Sequence, residues 1–204
     1  MRFVERSGVE SLSMPKLAQE LGIGVTSIYW YFKNKEALIE RLTVEAARQF
    51  QQLLAPVKGS SWPDHLSRLF RRMRIVLREN DLLCDLLFMR SSHFSAEALT
   101  YLLPQIEESL QLMVDGGFTP EQALQNHFTL SHYTRGCVVL ERQMRQAGVL
   151  GTVPTPVPEE FPLLARVTRH QNLRGADEAT FLRGLTGVIE GMAAVNGTVH
   201  APVD

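Results

Sequence analysis

The chain has 204 residues, 45% of them hydrophobic and 21% charged, with a formal net charge of −1. This fits one or two small globular domains and excludes a uniformly basic nucleic-acid coat. No apolar run approaches the roughly 18 residues of a membrane span, and no signal-peptide pattern opens the chain. Cys84 and Cys137 lie far apart in helical patterns, so they are read as buried thiols in a reducing cytoplasm, with no disulfide or metal site. Residues 1–58 carry a net charge of +2 and the remainder −3, so a slightly basic N-terminal part precedes an acidic remainder.

Met1 to Gly8 is too short for a full leading helix, so the first helix of the head reads as truncated. Ser13 is placed to cap a helix with Pro15 in its first turn, where a missing N–H costs nothing. Leu17, Ala18 and Leu21 give one apolar stripe, and Gly22 stands where a left-handed residue ends such a helix. Ile23 is expected to plug the corner. Gly24 then starts a second short helix, Val25 to Tyr31, with Ile28 and Phe32 inward. Val25, Thr26, Ser27, Tyr29 and Tyr31 project from its other side as a small, hydroxyl-rich and aromatic surface. Two short helices joined by a glycine turn place the second in the major groove of DNA. The candidate DNA-binding residues are therefore these five with Ser13, Trp30, Lys33 and Lys35. Asn34 can cap a helix from about Lys35 to Leu54, whose start suits a phosphate.

Further on, Ser61 and Pro63 open a helix from Trp62 to Glu79 with an apolar stripe through Leu66, Leu69, Phe70, Met73, Val76 and Leu77. Arg68, Arg71, Arg72, Arg74 and Arg78 surround it, and a solvated face is the favoured reading of this charge run. Asp81 to Met89 reads as a short apolar helix. Ser95 caps a helix through Val114 that stops at Gly116 and Gly117. Thr119, Pro120 and Gln122 form a capping box for a helix to about Gln146. Gly148 to Glu160 reads as a loop, Phe161 to His170 as a short helix and Asp177 to Val195 as a final long one. That last helix carries Gly184, Gly187, Gly191 and Ala194 at spacings of three, four and three. Interior glycines cost about 1 kcal/mol each against alanine, and close approach of another helix supplies a reason for them. Packing within one subunit is one such reason. The favoured one is a dimer interface in which Gly184, Gly187, Val188, Gly191 and Ala194 meet a second copy.

The run from Leu17 to Gly22 and the segment from Tyr29 to Leu38, YWYFKNKEAL, resemble the DNA-binding domain of the TetR family of bacterial transcriptional regulators. Gly116 to Leu124, His132 to Glu141 and Phe181 to Leu185 extend the resemblance to the C-terminal domain of the tetracycline-repressor-like subgroup. It implies an all-α fold, with a helix-turn-helix head over residues 1–45. A ligand-binding and dimerisation domain over residues 46–204 would form a four-helix interface between subunits. Counted without gaps, His93 falls where tetracycline repressors hold magnesium, whereas Gln51, Leu69, Ala96 and Ser109 replace that group's other polar anchors. The resemblance therefore implies an apolar, aromatic small molecule rather than a tetracycline chelate, because the chelate's hydrogen bonds would go unmade. The ligand candidates are Gln51, Leu69, Met73, Phe88, Met89, His93, Phe94, Ser109, Met113, Phe128, His132 and Tyr133. Pro15 and Val25 replace base-reading residues of that subgroup, which implies a different operator.

The expected function is a ligand-responsive transcriptional regulator, a cytoplasmic homodimer released from a palindromic operator by a small molecule. An alternative is a ligand-binding helical dimer with impaired DNA binding. No phosphate loop, nucleophile elbow or metal-ligand spacing points to an enzyme, a cofactor or a metal.

Overall fold

The computed structural model describes residues 3–4, 8–54, 57, 59–89, 93–148, 160–167 and 177–199. Among the described residues there are nine α-helices and no strand. They are α1 (Met14–Leu21), α2 (Val25–Tyr31), α3 (Lys35–Leu54), α4 (Trp62–Glu79), α5 (Asp81–Cys84), α6 (Ala96–Asp115), α7 (Pro120–Gln146), α8 (Pro162–Val167) and α9 (Glu178–Val199). A single π-turn, Asp85–Met89, continues α5. The expected loop lies, between residues 149 and 159, outside the described residues, as does His170.

Local chemistry sets most helix ends. Ser13 Oγ accepts from the Lys16 N–H at 3.4 Å, and Gly22 closes α1 in the left-handed region at φ 65°. Asn34 Oδ1 accepts from the Ala37 N–H at 2.9 Å at the head of α3. The Thr119 and Gln122 side chains cap each other's backbone N–H groups at 3.3 and 2.9 Å, which is the reciprocal arrangement of a capping box. One cap differs from expectation. Ser61 occupies the N-cap position of α4 without a side-chain bond; Asp64 instead accepts from the Ser60 N–H at 3.0 Å. Asp177 caps α9 by accepting from the Thr180 N–H at 2.7 Å.

The head also departs in its packing. Leu21 and Ile23 are exposed rather than core, because the interior is supplied by Val4, Val9, Leu12, Met14, Ala18 and Ile28. Phe3 and Val4 are helical, and the Gly8 N–H closes that turn onto the Val4 carbonyl at 2.8 Å. The short leading segment thus contributes buried side chains to the head. α3 then crosses from head to body without a break, burying Leu38, Val44, Ala46, Ala47, Phe50 and Leu54.

The arginines of α4 are not a purely solvated face. Arg74 is only 4% exposed and pairs with the equally buried Glu141 of α7 at 2.9 Å. Arg78 reaches the same carboxylate at 3.1 Å. Arg72 donates to the Leu53 carbonyl at 2.9 Å, tying α4 to the end of α3. Arg74 also lies 4.8 Å over the Phe181 ring of α9. One buried cation therefore joins three helices, and with Glu141 it forms a paired charge whose loss on one side would be costly.

Candidate DNA-reading face and ligand cavity

The second helix of the head is held by very little. Ile28, 3% exposed, is the one buried residue of α2, whereas Trp30 and Tyr31 are 83% and 82% exposed. Val25, Thr26, Ser27 and Tyr29 are exposed beside them. Ser13 is half-buried and committed to its cap. Lys33 is exposed and Lys35 half-buried, and neither forms an ion pair among the described residues. Aromatic rings and hydroxyls on a helix anchored by one side chain, with two cations following it in the chain, suit entry into a groove walled by phosphates.

In the body, α3, α4, the π-turn, α6 and α7 enclose a cavity of about 200 Å³. Six ligand candidates line it: Gln51, Leu69, Met73, Phe88, Phe94 and Phe128. The other six lie elsewhere. Met89 and His93 are exposed at the end of the π-turn and ahead of α6. Met113 is fully buried away from the cavity, and Ser109 Oγ meets His65 Nε2 at 3.2 Å. His132 faces a separate open groove beside Cys84. Tyr133 turns to α9, where its hydroxyl donates to the Phe181 carbonyl at 3.0 Å and its ring stacks on Phe181. Burial pushes that phenol up to about 12. For His132 and Tyr133 the physical reason is rotation of α7: the residues facing inward are His127, Phe128, Ser131 and Arg135.

Those inward residues were missed apart from Phe128, although 127, 131 and 135 fall at successive four-residue steps along one helix face. His127 is 6% exposed, and its Nδ1 has no hydrogen-bond partner among the described residues. Burial, with His65 nearby, pushes its imidazole down to about 4, so it is neutral at ordinary pH. Its ring lies 5.4 Å from Phe70 and 5.9 Å from Phe128. Arg135 stacks 4.7 Å over the Phe88 ring and donates to the Phe88 carbonyl at 3.3 Å. Burial lowers its pKa from the usual arginine range. No carboxylate lies within ion-pair distance of it among the described residues. Phe50, edge-on to Phe88 at 5.7 Å, completes an aromatic wall. No three metal-ligating side chains cluster among the described residues.

On α9 the small residues divide. A Cβ at Gly184 would overlap the Tyr133 hydroxyl, so packing inside the subunit demands this glycine. Gly187 and Gly191 face open space and Ala194 is exposed, with Val188 half-buried alongside. Both thiols are free, Cys84 buried and Cys137 half-buried. No described helix is long and apolar enough to cross a membrane.

The family model for bacterial regulatory proteins of the tetR family matches residues 1–42, and that for the tetracyclin repressor-like C-terminal domain matches residues 55–196. The HTH-type transcriptional repressor Rv1353c of Mycobacterium tuberculosis is 31% identical over 194 residues, covering 91% of this chain and 74% of its own. The class D tetracycline repressor protein of Escherichia coli is 28% identical, covering 94% of this chain and 84% of its own. Among solved structures, Streptomyces coelicolor ActR in complex with actinorhodin matches with a TM-score of 0.70 at 20% identity, over 96% of this chain and 93% of that one. TetR from Acinetobacter baumannii AYE matches with a TM-score of 0.67 at 21% identity, over 96% and 93%. These two likenesses speak for the fold. The head and body together place the chain in the tetR family of bacterial regulatory proteins, as a ligand-responsive, DNA-binding transcriptional regulator.

Proposed function

We propose that the protein is a cytoplasmic repressor. As a homodimer paired along α7 and α9 it holds two copies of α2 on a palindromic operator, and a small molecule in the body cavity releases it. One observation carries this reading. α3 runs unbroken from Lys35, beside α2, to Phe50, Gln51 and Leu54, which line the cavity. Twenty residues of helix span about 30 Å, so a small tilt at the cavity becomes a larger displacement at the head. The Arg41–Glu97 ion pair, 2.7 Å long, couples α3 to the start of α6. A ligand that moved the dimer from mostly bound to mostly free would need about 5.5 kcal/mol of preference between the two states.

The test is fluorescence anisotropy of the full chain with the palindrome upstream of its own gene. Wild type binds at low salt, and Lys35→Ala lowers the slope of log affinity against log salt by about one. Absence of binding at low salt by a folded protein contradicts the reading and favours a ligand-binding dimer that no longer reads DNA.

A further inference from the structure

The cavity has a definite chemical character, and the following rests on its reading as the effector site. Its walls are dominated by phenylalanine rings, which receive flat ligands by stacking and edge contacts. An apolar cavity near 150 Å³ holds benzene, so about 200 Å³ accommodates one or two rings. That is below the roughly 300 Å³ at which drug-sized pockets begin.

Polar residues interrupt this lining at Gln51, Tyr101, Gln105, His127, Ser131 and Arg135, and two of them, both on α7, carry an unmet group. One is the Arg135 guanidinium, partly withdrawn from water and without a carboxylate partner among the described residues. The other is His127, whose buried Nδ1 lacks a hydrogen-bond partner among the described residues. An unmet buried polar atom and an unneutralised half-buried cation both carry a cost that a ligand can relieve. The two residues are eight apart, which at 1.5 Å per residue separates them by about 12 Å along the helix. Both line the cavity, so the two groups are spaced along one wall of it.

We infer that the cavity binds a flat aromatic hydroxy acid: its carboxylate sits on Arg135, its ring system lies between the phenylalanines, and its far hydroxyl meets His127. Arginine favours a carboxylate over a neutral amide because the charge-assisted bond is stronger, and neutral imidazole exchanges a single hydrogen bond with a hydroxyl.

The test uses isothermal titration of the full chain with three probes: 6-hydroxy-2-naphthoate, 6-hydroxy-2-naphthamide and 2-naphthoate. The hydroxy acid binds about tenfold or more tighter than the amide. Arg135→Met abolishes that preference, and Arg135→Lys retains part of it. His127→Phe erases the advantage of the hydroxy acid over 2-naphthoate while keeping the preference for acid over amide. Thermal melts establish that each variant is folded. Equal binding of acid and amide, survival of the preference in Arg135→Met, or no binding of any probe by folded protein overturns the inference. Anisotropy on the same samples separates the two readings. Operator binding with no probe binding removes the acid class and leaves the regulator standing. Acid binding by a protein that ignores DNA keeps the site and removes its role as effector site.

Discussion

The head and the body are held together by opposite means. α2 starts at Gly24 without a side-chain cap, is anchored by one buried isoleucine, and presents nearly everything else to solvent. The body is fixed by long-range pairs: Arg74 with Glu141, Arg142 with Asp85, and Tyr133 with the backbone of α9. The head is thus a light reader that a small force can reposition. The body is a stiff frame around a cavity, and α3 belongs to both. A regulator needs this asymmetry, because the frame must convert a bound molecule into a tilt without losing its own shape.

The largest expected effect breaks the frame. Glu141→Ala leaves Arg74 buried and unpaired and lowers stability by about 3–5 kcal/mol in urea unfolding, whereas Arg74→Met with Glu141→Leu recovers most of that loss. Acid comes next. The His127 pKa in the folded chain, about 4, lies below its ordinary 6.5, so the unfolded chain binds the extra proton between these values. Stability conferred by the neutral imidazole is therefore present above pH 6.5 and is lost as pH falls towards 4, by about 3 kcal/mol in all. His127→Gln flattens urea midpoints across that window; an unchanged acid limb contradicts the assignment.

Ile28→Ala acts on the head alone. Removing its one anchor costs α2 about 2–3 kcal/mol. DNA affinity falls while the body's thermal transition stays in place. Loss of both together would show that head and frame are not separable. Smaller still is the contrast between two glycines of α9. Gly184→Ala displaces Tyr133 and destabilises the chain by about 1–2 kcal/mol. Gly187→Ala meets nothing in the subunit, so its fold is kept. If α9 pairs with a second copy, sedimentation velocity shows this variant with a weakened dimer.

These contrasts also mark what the sequence could disclose. The caps at Ser13, Asn34 and Thr119 and the left-handed turn at Gly22 are decided within four residues, and they were readable. The interior of the head was less so, because Leu21 and Ile23 have core character but Val4, Val9 and Leu12 fill the space. Arg74 looked like its exposed neighbours because its partner is 67 residues away. The cavity draws on five elements, so half its candidates could be named from apolar character alone. His127 and Arg135 could not, since the inward face of α7 depends on where α3, α4 and α6 pack. Their eight-residue spacing, two four-residue steps along one face, was visible; its direction was not.

The reading helix can be examined directly, because the chain has only two tryptophans and one of them is Trp30. In a Trp62→Phe variant, acrylamide quenching of fluorescence reports on Trp30 alone. With the upstream palindrome bound, the account predicts a severalfold fall in the quenching constant, as the exposed indole becomes covered by the duplex. Quenching that stays at its free-protein value while anisotropy shows bound DNA would mean that α2 does not face the groove, contrary to the assignment of the head.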